Sequence, residues 1–198
     1  MKFIIQSLLL FSIFFSCTNI NKKYSIDEFL SSSQIDPMSK YVHSNGKFFS
    51  FDNSSIIASV NKTGVYNAFS FNIKTKHMKS ITDMNKNSVF VKTFFPDDNR
   101  IIYQSDAGGN ELDHVYVIDE EKNIKDLTPG VDLKSSFFDW SDDGNYFYIM
   151  SNERDPRYFD LYRYDSNDYQ REIIFKNDEG YSIDAISGDG VLIGISKT

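Results

Sequence analysis

A turn built on aspartate followed by glycine or asparagine recurs along this chain at Asp52-Asn53, Asp98-Asn99, Asp143-Gly144 and Asp189-Gly190, in steps of 46, 45 and 46 residues. A serine keeps the same beat at Ser59, Ser105, Ser151 and Ser196, in steps of 46, 46 and 45. An apolar residue repeats every 46 residues at Ile81, Leu127 and Ile173. Short runs of β-branched and aromatic residues lie between these markers, clearest from Ser135 onward. There a run ending in Trp140, the turn, a second run at 146–150, a polar loop and a third run around Leu161-Tyr162 follow one another. Such runs separated by turn chemistry make an antiparallel meander. Four strands per unit and a period near 45 residues are the signature of a β-propeller blade.

The repeat places strands near 48–51, 55–60, 67–73 and 77–82 in a first blade, and near 91–95, 101–105, 114–118 and 123–127 in a second. A third takes 137–140, 146–151, 160–164 and 171–175, and half of a fourth takes 181–186 and 191–196. The expected fold is all-β: an incomplete β-propeller of about three and a half four-stranded antiparallel blades, with blades at 47–84, 88–130 and 134–178 and the half blade at 180–198. Propellers close with about four to eight blades, because an open array leaves strand edges uncovered. The expectation is therefore the N-terminal part of a longer protein or the product of an interrupted reading frame, with assembly from copies of itself as the other route to closure.

Ahead of the repeat stand two different segments. Residues 1–17 carry Lys2, then an apolar run broken only by Gln6, Ser7 and Ser12, then Ser16-Cys17. That is the layout of a secretory signal, too short to span a bilayer core of about 30 Å. Phe14-Phe15-Ser16-Cys17 resembles the lipobox of bacterial lipoproteins, with Phe14 where leucine is usual. The resemblance implies a lipidated Cys17 and a soluble domain tethered to a membrane by that anchor alone. Thr18, rather than aspartate, after the cysteine implies the outer membrane, and the alternative is an ordinary signal peptide or short anchor with an incidental cysteine. Residues 18–46 turn polar and read as a tether with a short helix near 25–30, where Ser25 precedes Glu28 in capping-box spacing.

Charge and cysteine usage exclude several function classes. With 21 Lys plus Arg against 28 Asp plus Glu, the net charge of −7 does not suit a nucleic-acid surface. A single cysteine excludes an intrachain disulfide framework and a cysteine-based zinc site. No cofactor motif stands in the chain.

The connectors carry a family resemblance. Ser59-Val60-Asn61-Lys62-Thr63-Gly64-Val65-Tyr66-Asn67 and Ser151-Asn152-Glu153-Arg154-Asp155-Pro156-Arg157-Tyr158-Phe159-Asp160-Leu161-Tyr162 follow second strands. With Trp140-Ser141-Asp142-Asp143-Gly144 and Asp126-Leu127-Thr128-Pro129-Gly130, they resemble the N-terminal propeller of prolyl oligopeptidase-family serine peptidases, of the bacterial dipeptidyl aminopeptidase and acylaminoacyl-peptidase branch. The resemblance covers about residues 24–198, and TolB-type propellers share its Ser/Pro-Asp-Gly turn and Asp-Leu-Tyr strand. It implies a noncatalytic domain that restricts entry to a C-terminal α/β-hydrolase domain, with a peptide substrate or that hydrolase domain as partner. The alternative it leaves is a TolB-like envelope propeller acting as a protein-binding scaffold. The nucleophile elbow Gly-Xaa-Ser-Xaa-Gly is not present: Gly194-Ile195-Ser196-Lys197-Thr198 lacks the second glycine. No catalytic residue is carried over.

Other constellations weigh less. His43, His77 and His114 could enter a triad, but His114 adjoins Asp113 on a strand, where neighbours point to opposite faces, so surface or packing roles are expected. Asp139-Trp140-Ser141-Asp142-Asp143-Gly144 imitates a calcium loop, yet Met150 stands where a glutamate ligand is needed, so turn chemistry explains it and no metal site is expected. Asp106-Ala107-Gly108-Gly109-Asn110 has no following helix to serve a phosphate and reads as a loop. Trp140 reads as core. Arg154, Asp155, Arg157 and Asp160 form the densest charged cluster on a connector. Arg154 and Arg157 are candidate contacts for a substrate carboxylate or a partner domain, and an intrablade salt bridge is the plainer role.

Overall fold

The computed structural model describes residues 34–36, 47–62 and 64–197, and all the regular structure among them is β. The expected signal segment with Cys17, the expected helix near 25–30 and His43 lie outside the described residues.

Three four-stranded antiparallel sheets and one hairpin follow in chain order. The first contains β1 (Gln34–Asp36), β2 (Ser55–Asn61), β3 (Tyr66–Asn72) and β4 (Met78–Ser80). The second contains β5 (Phe90–Phe94), β6 (Ile101–Ser105), β7 (His114–Ile118) and β8 (Ile124–Asp126). The third contains β9 (Ser135–Trp140), β10 (Tyr146–Asp155), β11 (Tyr158–Asp165) and β12 (Arg171–Phe175). The hairpin pairs β13 (Ser182–Ile186) with β14 (Ile193–Ser196). Within each sheet the strands pair in the order of the chain, which makes each sheet a propeller blade.

The first blade departs from the expected layout. Its first strand is Gln34–Asp36, inside the stretch expected to be tether, and it pairs Asp36 with Ser59 and Gln34 with Asn61. The 48–51 run makes one isolated bridge, Phe49 to Ile56. Its neighbour Lys47 ties to the next blade instead: Lys47 N donates to Thr93 Oγ1 at 2.9 Å and Lys47 O accepts from Phe94 N at 2.8 Å. Phe48, Phe49 and Phe51 are all exposed, so little burial holds this run against β2.

The turn that leads into the second strand of the first, third and fourth units closes by side-chain chemistry. Ser50, Ser141 and Ser187 donate to the aspartate two residues on, and their hydroxyls accept from the backbone N–H five residues on. Those serine hydroxyls, then backbone N–H groups, hold the Asp52, Asp143 and Asp189 carboxyls below the usual range. The second turn differs, because Phe95 takes the serine position and joins the core.

A bulge marks the first strand of the second, third and fourth units, with Lys92, Phe138 and Asp184 as the extra residues, 46 apart. In the second and third units the residue before the bulge turns its N–H away from its own ladder. Val91 N donates to Ser59 Oγ at 2.9 Å, and Phe137 N donates to Gln104 Oε1 at 3.2 Å. One bulge therefore frees one donor per blade, and the preceding blade's second strand accepts it. At the next junction the corresponding side chain is Met150, which packs with Ile183.

Aromatic packing fills the junction of the second and third blades. Trp140, 1 % exposed, meets Phe95 edge-on at 5.0 Å and Phe147 at 5.3 Å, and Phe147 stacks on Tyr164 at 5.2 Å. Trp140 Nε1 donates to Thr93 Oγ1 at 3.1 Å, so the buried indole has its partner. A second core of Ile57, Val91, Ile101 and Tyr103 joins the first and second blades.

Candidate interface on the connector face

Antiparallel pairing brings the connectors between second and third strands to the same edge of the molecule as the links between blades. In the third blade β10 runs on to Asp155, Pro156 and Arg157 make the turn, and β11 starts at Tyr158, so the connector is itself a β-hairpin extension.

Arg154 and Asp160 hold its base. Arg154 Nε and Nη2 donate to Asp160 Oδ2 and Oδ1 at 2.7 and 2.8 Å, and Nη2 also donates to Asn177 O at 2.9 Å. Asp178 approaches Nη1 at 3.0 Å. Asp160 is fully buried, and Asn177 N donates to its Oδ1 at 2.8 Å. The carboxylate hydrogen bonds push the Arg154 guanidinium further up from its already high range. A buried carboxylate needs such bidentate pairing, because its desolvation is otherwise uncompensated.

Arg157 lies at the tip, with its side chain 71 % exposed. Its Nε and Nη2 donate to Asp155 at 3.0 and 2.7 Å, and its guanidinium lies 5.0 Å from the Tyr158 ring centre. Those bonds hold the Asp155 carboxyl down to about 2. Tyr158 lies over Gly180, where a β-carbon would stand 2.8 Å from its ring and where φ is +75°. Asn177 organises the bend: its Oδ1 accepts from Gly180 N and Tyr181 N, and its Nδ2 donates to Phe159 O and Tyr181 O. A cleft of about 410 Å³ opens beside this bend, lined by Arg157, Tyr158, Lys134, Met150, Tyr181 and Ile183. Sequence reasoning passed over Asn177; its signal was the polar run Asn177-Asp178-Glu179-Gly180 at a blade junction.

The remaining candidates separate. His77 is exposed. His114 pairs not with Asp113 but with Asp126 on the next strand, Nδ1 to Oδ2 at 2.8 Å. Burial pushes the Asp113 carboxyl up, against the opposing pull of Lys134. In the 106–110 loop, Gly108 and Gly109 adopt φ of +70° and +87°, Asn110 Oδ1 accepts from Ala107 N, and Asp106 Oδ2 accepts from Glu111 N. Asp143 is engaged by Ser141 and Asn145. Among the described residues no group of three or more His, Cys, Asp or Glu is placed to hold a metal ion, and no helix is long and apolar enough to cross a membrane.

No protein-family model matches the chain, and no curated protein matches it. Solved structures do. TolB from Acinetobacter baumannii superimposes with a TM-score of 0.53 and 19 % identity over 74 % of this chain. A prolyl endopeptidase gives 0.55 and 15 % over 70 %, and an oligogalacturonate lyase in complex with manganese gives 0.58 and 13 % over 84 %. The matched parts are 36 %, 22 % and 54 % of those proteins, so the chain spans about half their length or less. At these identities the likeness shows the β-propeller fold.

Proposed function

We propose that this chain is the noncatalytic, substrate-gating propeller portion of an exported serine peptidase of the prolyl oligopeptidase family, held at the cell envelope by a lipid on Cys17. The third connector carries the reading. The run whose residues resemble that family, 151–162, is built as a braced hairpin that presents Arg157 and Tyr158 next to a cleft on the connector face. A guanidinium as exposed as that of Arg157 can exchange the Asp155 carboxylate for one from a peptide or from an adjoining domain. Arg154 supports the hairpin from below. The second reading, an envelope scaffold that binds proteins, draws on the likeness to TolB.

Two preparations separate these readings: residues 1–198, and the product of the gene with its downstream coding region. The first is expected to cleave no aminoacyl or dipeptidyl reporter and to take no fluorophosphonate label. The second is expected to do both through one serine. Serine-dependent cleavage by the 198-residue chain alone would overturn the noncatalytic assignment, and an extended product without a reactive serine would favour the scaffold. Incorporation of labelled palmitate, lost in Cys17→Ala, is the outcome expected for the anchor.

A further inference from the structure

A cleft of about 250 Å³ lies on the connector face of the second blade, where Ser105, Asp106, His114, Tyr116 and Asp132 line it with Asn87 from the preceding link. We propose that it takes a small ligand carrying a primary ammonium group on an apolar or aromatic stem.

Ser105 stands opposite His114, just as Ser151 stands opposite Asp160 in the third blade. In the third blade every group of that row is satisfied. Ser151 Oγ accepts from Ser135 Oγ at 2.9 Å and from Glu153 N at 3.2 Å, and the chain's own cation, Arg154, closes over Asp160. In the second blade Val89 stands one 46-residue step before Ser135 and offers no hydroxyl. Ser105 is 8 % exposed, and among the described residues its hydroxyl reaches only Asp106 O at 3.5 Å, beyond the usual range for such a bond. A buried hydroxyl this poorly satisfied faces the cleft.

His114 is fixed by its other side. Asp126 accepts from Thr128 N through Oδ1, and its Oδ2 meets His114 Nδ1, so a carboxylate that only accepts places the ring proton on Nδ1. In the neutral ring Nε2 is then an acceptor. His114 is among the residues that line the cleft. Asp106 engages one carboxylate oxygen with Glu111 N and keeps the other, and Asp132 makes no hydrogen bond among the described residues. Among the described residues no lysine or arginine lines the cleft. Acceptors and negative charge thus converge where the third blade supplies a guanidinium. The Tyr116 ring, stacked on Tyr103 at 5.1 Å and on His114 at 6.2 Å, lends the cleft its aromatic edge, and Leu112 an apolar wall. A cavity of about 150 Å³ accommodates benzene, so the available volume suits a benzylammonium-sized ligand.

This inference holds whether the propeller belongs to a peptidase or to a scaffold. Its test is a titration of the 198-residue chain with benzylammonium chloride, following the histidine ring C–H signals by NMR. The His114 signal, assigned by its loss in His114→Gln, is expected to shift saturably while that of His77 stays. Asp106→Asn and Asp132→Asn keep shape and turn chemistry and should each raise the apparent Kd about fivefold or more. No saturable shift at millimolar ligand, an equal response to benzyl alcohol, or unchanged affinity in the double variant would each overturn the proposal.

Discussion

The connectors of the second and third blades start from the same register and end differently. Ser151, Asp160, Arg154 and Asn177 form a row in which each donor meets an acceptor, and the hairpin above it continues as β-structure to Asp155. Ser105 and His114 occupy the same places, but the 106–113 connector carries two glycines and no arginine, and it leaves an open cleft. The blade scaffold therefore fixes where polar groups stand, while a single cation in the connector decides whether they are consumed internally or face outward.

The sharpest way to break that comparison is to open the closed row. Asp160→Ala leaves the Arg154 guanidinium and Asn177 N without their acceptor and is expected to cost about 3 kcal/mol, read as a lower urea midpoint at unchanged slope. A loss under about 1 kcal/mol would mean that the row contributes little to stability. Gly180→Ala should follow at about 2 kcal/mol, since the added methyl meets the Tyr158 ring in a left-handed backbone. Gln104→Ala removes the acceptor from the buried Phe137 N and is expected to cost about 1.5 kcal/mol. Ser59→Ala at the preceding junction should match it, and a large disparity would show that the two ties are not equivalent.

Arg157→Ala is expected to have the smallest effect, a slight lowering of the midpoint at neutral pH, because exposed pairs contribute little. Its signature is in acid. Asp155 is depressed from 3.8 to about 2 by Arg157, so its contribution is present above pH 3.8 and lost as the pH falls to about 2. Stability of the parent should decline across that window, and the variant should lose that share of the slope. Identical acid profiles would place the depression elsewhere.

Much of this architecture was legible because turn chemistry is local. Asp143-Gly144 and Asp189-Gly190 announce positive φ directly, and both glycines adopt it, at +71° and +73°. The serine beat was only partly faithful. The backbone bond from Phe95 N to Arg100 O matches that from Ser50 N to Ser55 O, a step of 45, so Val60 rather than Ser59 corresponds to Ser105. At the far end Ile195 pairs with Ile183 as Ile149 does with Phe137, which puts Lys197 rather than Ser196 in the place of Ser151. One-residue offsets of this kind are invisible until the ladder is seen, because a period of 45 or 46 tolerates both. Strand β1 was illegible for another reason: three residues without alternation carry no pattern, and their pairing is dictated by the open edge of β2. His114 with Asp126 was missed because the pair bridges neighbouring strands, a relation set by register rather than by sequence distance.

The measurement that bears most directly on the central claim is the coding sequence downstream of codon 198, read in all three frames. The account predicts further units of about 46 residues with Asp-Gly turns, followed by a Gly-Xaa-Ser-Xaa-Gly elbow. Further repeats with no such elbow would contradict the peptidase reading and leave the envelope scaffold in its place.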